Sequence, residues 1–280
     1  MNGPGSGPDS IVFARHGAAH GALWLRQAFA MMWAQRVRWL LLMLTYYVLI
    51  LTVDVVPWLG NFVAPMLKPV FAVGFLAAAW SQERGEAPAF RHLFAGFRAN
   101  LRVLLLLGFF FVVCMKGAVF ATSLVDGGKM LDVMSGAAKV DEAFLVSADV
   151  QMAMLFGALC ALPVLLALWF APGLVVFQDC GTTAALATSF KAAIGNWRPI
   201  AVYALLLFFY LGVLPAFVAA LIAALVPVEA AYTVAALVLF PYLALVFATL
   251  HVSDYVAYRD VFHPEDRPAR QDARADDASA

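Results

Sequence analysis

The sequence predicts an all-α polytopic membrane protein. Its six transmembrane helices are laid out as three repeats of an interfacial amphipathic helix plus a transmembrane hairpin. Three observations carry that prediction. Of 280 residues, 64% are hydrophobic and 13% charged, whereas a soluble domain has roughly 45–50% and about 25%. Six apolar stretches reach or exceed the ~17–25 residues that cross a bilayer as a helix. A short pattern also recurs ahead of successive pairs of these stretches: FAMMWAQRVR at Phe29–Arg38, FAGFRANLR at Phe94–Arg102 and FKAAIGNWR at Phe190–Arg198.

Taken in order, residues 1–19 read as a disordered polar leader without the apolar core of a cleavable signal, so the first span is expected to direct insertion. Residues 20–260 form one transmembrane domain, with repeat units of about 20–80, 81–177 and 178–258. An interfacial helix over 20–38 leads into the span Trp39–Val56. Proline, glycine and asparagine in Pro57–Asn61 predict a tight turn. Phe62–Trp80 returns across the bilayer and carries Pro65 and Pro69, which predict a kink.

After the polar loop Ser81–Pro88, a second interfacial helix occupies 89–102 and the third span Val103–Leu124. The connection Val125–Asp149 is acidic, with Asp126, Asp132, Asp141, Glu142 and Asp149 against Lys129 and Lys139. Val150–Phe177 exceeds the length of a perpendicular span, so it must tilt, kink at Pro163 or break near Pro172–Gly173. A third interfacial helix covers 182–197, followed by Pro199–Val226, kinked near Pro215. Ala230–Val252, containing Pro241, is the last span, and residues 261–280 read as a disordered tail.

The repeat rests on register. Glu83, Gly85, Phe94, Asn100 and Arg102 match Asp179, Gly181, Phe190, Asn196 and Arg198 at one constant offset of 96. Apolar residues within each copy have helical spacing: Leu25, Phe29, Met32 and Trp33; Phe90, Leu93, Phe94, Phe97 and Leu101; Leu186, Phe190, Ala193, Ile194 and Trp197. Helices with one apolar and one basic face lie in the headgroup plane. Fourteen of the eighteen lysines and arginines fall on the side holding both termini and the three amphipathic helices, which makes that side cytoplasmic.

Two polar groups stand out. Asp54, Lys68 and Lys116 lie within apolar segments near their outward ends. They form either an outward-facing polar cluster in which Asp54 bridges the lysines, or isolated groups that snorkel to headgroups. Glu83, Asp179 and Asp254 follow the second span of each hairpin, with Arg102 and Arg198 at the start of the next, and Asn100 and Asn196 beside them. They form a cytoplasmic-face polar belt that fixes helix entry angles or contacts lipid phosphate. The partners expected are therefore the bilayer, anionic phospholipid headgroups and a small amphiphilic ligand.

No HExxH, GxSxG or P-loop motif is present, and no catalytic residue is assigned. No metal ligand set and no cofactor are predicted: no pair of histidines is expected at metal spacing, and His251 with Asp254 is too little for a site. Cys114, Cys160 and Cys180 form no CxxC and no plausible disulfide. Zero net charge gives no reason to expect a nucleic-acid partner.

The stretches FAVGFLAAAWSQERGEAPAFRHLFAGFR and LWFAPGLVVFQDCGTTAALATSFKAAIGNWRP resemble a family of proteobacterial inner-membrane proteins, and the layout is similar to the YciC-like group of bacterial six-span proteins. The resemblance covers most of residues 20–260 and implies a six-span inner-membrane protein, with no catalytic residue to carry over. The acidic outer loop and polar tails depart from it. Two functions follow as expectations: non-enzymatic binding or transport of a lipid or small amphiphile, or a structural or assembly role through membrane or protein partners.

Overall fold

The structure, a computed structural model, describes residues 11–141, 144 and 146–266, without the side chains of 57–59 and 266. The expected leader over 1–10, Glu142 of the acidic loop and the tail beyond 266 lie outside the described residues. Among those residues the protein is all helix, with six helices long and apolar enough to cross a membrane. Two compact units form, one from residues 11–50, Phe71–Gly96 and 192–266, the other from Leu51–Val70 and Phe97–Lys191.

In the first unit, α1 (Ala19–Ala34) packs along α11 (Trp197–Phe208) and α13 (Val228–Phe262). Gly21 makes this possible, since a Cβ there would stand 2.1 Å from the Pro199 carbonyl oxygen. The buried side of α1 is Gly21, Trp24, Ala28 and Met32, so of the predicted apolar stripe Leu25, Phe29, Met32 and Trp33 only Met32 lies on it. α2 (Arg36–Asp54) starts after a break at Gln35, so Arg36 and Arg38 belong to the span and not to the interfacial helix predicted over 20–38. Trp39, Leu42, Met43 and Tyr46 of α2 are buried, and Tyr46 meets Phe71 and Phe75 of α3 (Pro57–Glu83) edge-on at 5.3 and 5.4 Å.

The turn expected over Pro57–Asn61 is instead confined to Val55–Val56. Proline is tolerated in the first helical turn, where its missing N–H is an orphan anyway, and α3 begins at Pro57. Pro65 and Pro69 lie within α3, which remains one helix. The predicted helix over 89–102 is two single turns, α4 (Phe90–Leu93) and α5 (Ala95–Arg98).

In the second unit α6 (Leu101–Asp126) packs along α8 (Ala148–Trp169). Gly108 lets α6 approach Met66, whose carbonyl oxygen a Cβ there would meet at 2.0 Å. Gly127 and Gly128, both left-handed, end α6 and start α7 (Lys129–Ser135) inside the acidic connection. The buried Asp126 carboxylate accepts the Gly128 and Met130 N–H groups, each at 2.8 Å. The long segment 148–177 breaks at Phe170, where α9 (Ala171–Phe177) begins with Pro172 in its first turn. Ser189 repairs that break, accepting the Phe170 N–H and donating to the Leu166 carbonyl, each at 3.0 Å. A broken helix at membrane depth needs such a partner.

α10 (Thr182–Gly195) supplies Ser189. α11 ends in a π-helical turn, Phe209–Val213, before α12 (Leu214–Leu225). Pro215 has no N–H to continue the ladder, which is the kink expected near that residue. α13 runs 35 residues through Pro241 and ends at Phe262, ten residues past the span predicted to stop at Val252. Residues 11–17, expected to be disordered, have no regular secondary structure but bond to its end: the Ala14 N–H donates to the Val261 carbonyl at 2.7 Å.

Candidate functional site

Between α1, α11 and α13 the first unit opens a groove of about 540 Å³, a volume within the ~300–1,000 Å³ of small-molecule sites. Leu25, Phe29 and Trp33 form one wall, Leu206, Leu207 and Tyr210 the second, and Leu245, Val246 and Thr249 the third. Each wall follows from helical spacing: Leu25, Phe29 and Trp33 are successive i, i+4 positions on one face of α1. Arg26 is the single charged side chain among the described residues lining it. No carboxylate of the described residues pairs with Arg26. The π-helical turn shapes the second wall, and there the Tyr242 hydroxyl donates to the Tyr210 carbonyl at 2.6 Å. Such turns recur at functional sites because they re-aim side chains and loosen backbone bonds.

Below the groove, the last fifteen residues of α13 are tied down by polar contacts. Asp260 accepts the Trp24 indole N–H at 2.8 Å and lies 2.8 Å from His20 Nδ1. Arg259 pairs with Glu83 and donates to Gln27 Oε1 at 2.9 Å, and the Tyr255 hydroxyl donates to Glu83. Tyr203 and Ser253 share a hydrogen bond of 2.5 Å. Gln82 ties helices further along, accepting from Trp39 Nε1 and donating to the Met31 carbonyl, each at 2.7 Å.

The residues singled out in the sequence divide between these places. Glu83 joins the α13 cluster. Asn196, fully buried, accepts the His16 N–H and donates to the Ala14 carbonyl, each at 2.9 Å. Asn100 caps α6, accepting the Val103 N–H at 3.4 Å. Arg198 lies over Trp197 at 5.6 Å, Arg102 borders a shallow apolar groove with Met66 and Phe109, and Asp254 is half-buried. Asp179 is exposed and left-handed at φ 51°. Burial, and then the Asp179 charge, push the Cys180 thiol up.

Asp54, Lys68 and Lys116 are all exposed, and no ion pair joins them among the described residues. Lys68 Nζ stands 5.0 Å from the Phe111 ring centre and Lys116 Nζ 4.8 Å from that of Phe62, geometries suited to cation–π attraction. The carboxylate therefore does not bridge the lysines.

Three exposed tryptophans of the first unit carry an arginine on the ring: Arg36 on Trp33 at 5.2 Å, Arg84 on Trp80 at 4.5 Å and Arg198 on Trp197. His92, in the single turn α4, is buried, accepting the Ala89 N–H at Nδ1 (3.1 Å) with Nε2 3.4 Å from Ser81 Oγ. Burial, reinforced by Arg91 and partly opposed by Glu86, holds its pKa below the ordinary histidine value. His16 and His20 are not among the residues expected to carry a site, and they correct the expectation that no histidine pair stands at metal spacing. Their spacing of four, with Trp24 four further on, was the available signal.

Six membrane-competent helices, broken helices repaired by side chains and an apolar groove define a polytopic α-helical membrane protein. A probable inner membrane protein of Burkholderia thailandensis is 31% identical over 251 residues, covering 88% of this chain and 92% of that protein. The chain belongs to the family of that inner-membrane protein. No protein-family model and no solved structure matches it.

Proposed function

We propose that this protein is a non-enzymatic binder or carrier of a lipid or small amphiphile, oriented with both termini cytoplasmic. One observation carries the reading: the groove lined by α1, α11 and α13 is apolar along its length and has one free cation, Arg26, among the described residues of its wall. An acyl chain fills such a groove, and a phosphate or carboxylate headgroup meets the arginine. The Arg–Trp pairs support the orientation, since tryptophan and arginine concentrate at headgroup level. The three-repeat layout is part of the proposal. In each copy of the recurring pattern an exposed phenylalanine follows a fully buried residue: Phe29 (49% exposed) after Ala28, Phe94 (41%), between two single helical turns, after Leu93, and Phe190 (38%) after Ser189. That pattern suits helices lying on the membrane with aromatic edges in the acyl region. The YciC-like layout adds six-span architecture to the reading and no activity.

A structural or assembly role is the second reading. It is favoured by the fifth span, Trp197–Leu225, whose most apolar stretch has no residue buried within the protein.

Native mass spectrometry in mild detergent tests the first reading. The wild type and Asp54→Asn are expected to retain a lipid of defined mass that Ala22→Trp, which fills the groove, loses. A bare protein mass, or adducts indifferent to Ala22→Trp, would move the assignment to the assembly role.

A further inference from the structure

Asp260 stands in the last turn of α13, its side chain 5% exposed. A buried carboxylate requires a cationic or strongly donating partner. The neighbouring Arg259 guanidinium is engaged with Glu83 and Gln27. What faces Asp260 is the Trp24 indole and two imidazoles: Oδ2 is 2.8 Å from His20 Nδ1 and 3.6 Å from His16 Nε2. One ligand atom from each of His16, His20 and Asp260 lies within 4.8 Å of the other two. We propose that these three residues form a binding site for a divalent first-row transition ion.

Donor type, spacing and support all point that way. Two imidazole nitrogens and one carboxylate oxygen suit zinc, cobalt, nickel or ferrous iron, not the all-oxygen shells of calcium or magnesium. Tetrahedral bonds of ~2.0–2.1 Å place neighbouring ligands about 3.3 Å apart, and the two contacts of Oδ2 bracket that value. The Trp24 N–H fixes the carboxylate, and the His16 N–H is held by Asn196, as metal ligands are oriented by outer partners. The His20 side chain is 26% exposed, which provides an entry path. The two rings are stacked at 4.3 Å with 19° between planes, so seating the ion requires one imidazole to turn. His16 stands in irregular backbone with its side chain 9% exposed, against 26% for His20. Without the ion the same groups form a clamp, His16 Nε2 lying 2.9 Å from the Asp260 carbonyl. With it, residues 244 apart in sequence are bridged by coordination.

Tag-free, full-length protein stripped with chelator and titrated with Co²⁺ tests the site. The wild type is expected to take up one Co²⁺ per chain with a visible d–d band that Zn²⁺ abolishes, and to melt higher with Zn²⁺. The double variant His16→Gln/His20→Asn keeps amide donors where the imidazole N–H groups stand but removes both ligands. It should bind at least tenfold more weakly and melt as the wild type does without metal. His20→Asn alone serves should the pair not fold. Absence of Co²⁺ uptake by the wild type, or equal affinity in either variant, would overturn the site and leave a hydrogen-bonded clamp.

Discussion

The two halves of α13 obey different rules. In the first half Val228, Tyr232, Leu237 and Phe240 are 71–84% exposed, while in the second, from Ala248 to Phe262, nearly every residue is buried, Ser253, Arg259 and Asp260 included. At ~1.5 Å per residue a 35-residue helix measures about 52 Å, against ~30 Å of hydrocarbon. One helix therefore leaves lipid and enters protein. Where lipid is the solvent, a side chain need only be apolar. Where protein surrounds the helix, Ser253, Tyr255, Arg259 and Asp260 bond to particular side chains, and the order of the sequence matters residue by residue. The buried Arg259 Nε alone among that guanidinium's nitrogens is left without an acceptor among the described residues.

That contrast ranks the effects of substitution. Arg259→Met should cost most, about 3 kcal/mol, because it strands the Glu83 carboxylate against Tyr255. Equilibrium unfolding in detergent reads it, and a change under 1 kcal/mol would mean the pair is solvated. Gly21→Ala comes next, at roughly 1–3 kcal/mol, since the added methyl meets backbone at Pro199 and must push α1 from α11. The effect of acid is smaller. With the folded pKa of His92 depressed, the unfolded chain binds more protons below the ordinary value of ~6.5. The stability it contributes is thus complete above that value and declines as pH falls through it. Corrected hydrogen-exchange protection of residues 89–93 should drop between pH 7.5 and 5.5 in the wild type and not in His92→Gln. Leu237→Ala, on the lipid side, should stay within ~0.5 kcal/mol.

The same contrast explains what was legible in the sequence. Apolar length and proline position are local signals, so the six spans, the break before Pro172 and the irregularity before Pro215 could be anticipated. Asn100 and Asn196 show the limit. They stand at matched positions of the recurring sequence pattern, yet Asn100 caps its own helix while Asn196 holds Ala14 and His16, 180 residues or more away. Nothing near Asn196 encodes that partner. Arg259 and Asp260 lie beyond the span predicted to end at Val252, where charge normally marks solvent. Here both side chains are buried against Glu83, Gln27, Trp24 and His20, which no local pattern connects to them. The groove was illegible for a related reason: Leu25, Phe29, Met32 and Trp33 read as one apolar stripe, and only the tertiary placement of α11 and α13 makes a wall of three of them and buries Met32.

Photo-cross-linking with a phospholipid carrying a diazirine in its acyl chain, followed by peptide mapping, shows whether an acyl chain occupies the groove. Adducts are expected to concentrate on Phe29, Trp33, Leu207 and Leu245, and to be lost with Ala22→Trp. Adducts spread evenly over the outward faces of α12 and α13, unchanged by that substitution, would contradict a lipid-binding groove.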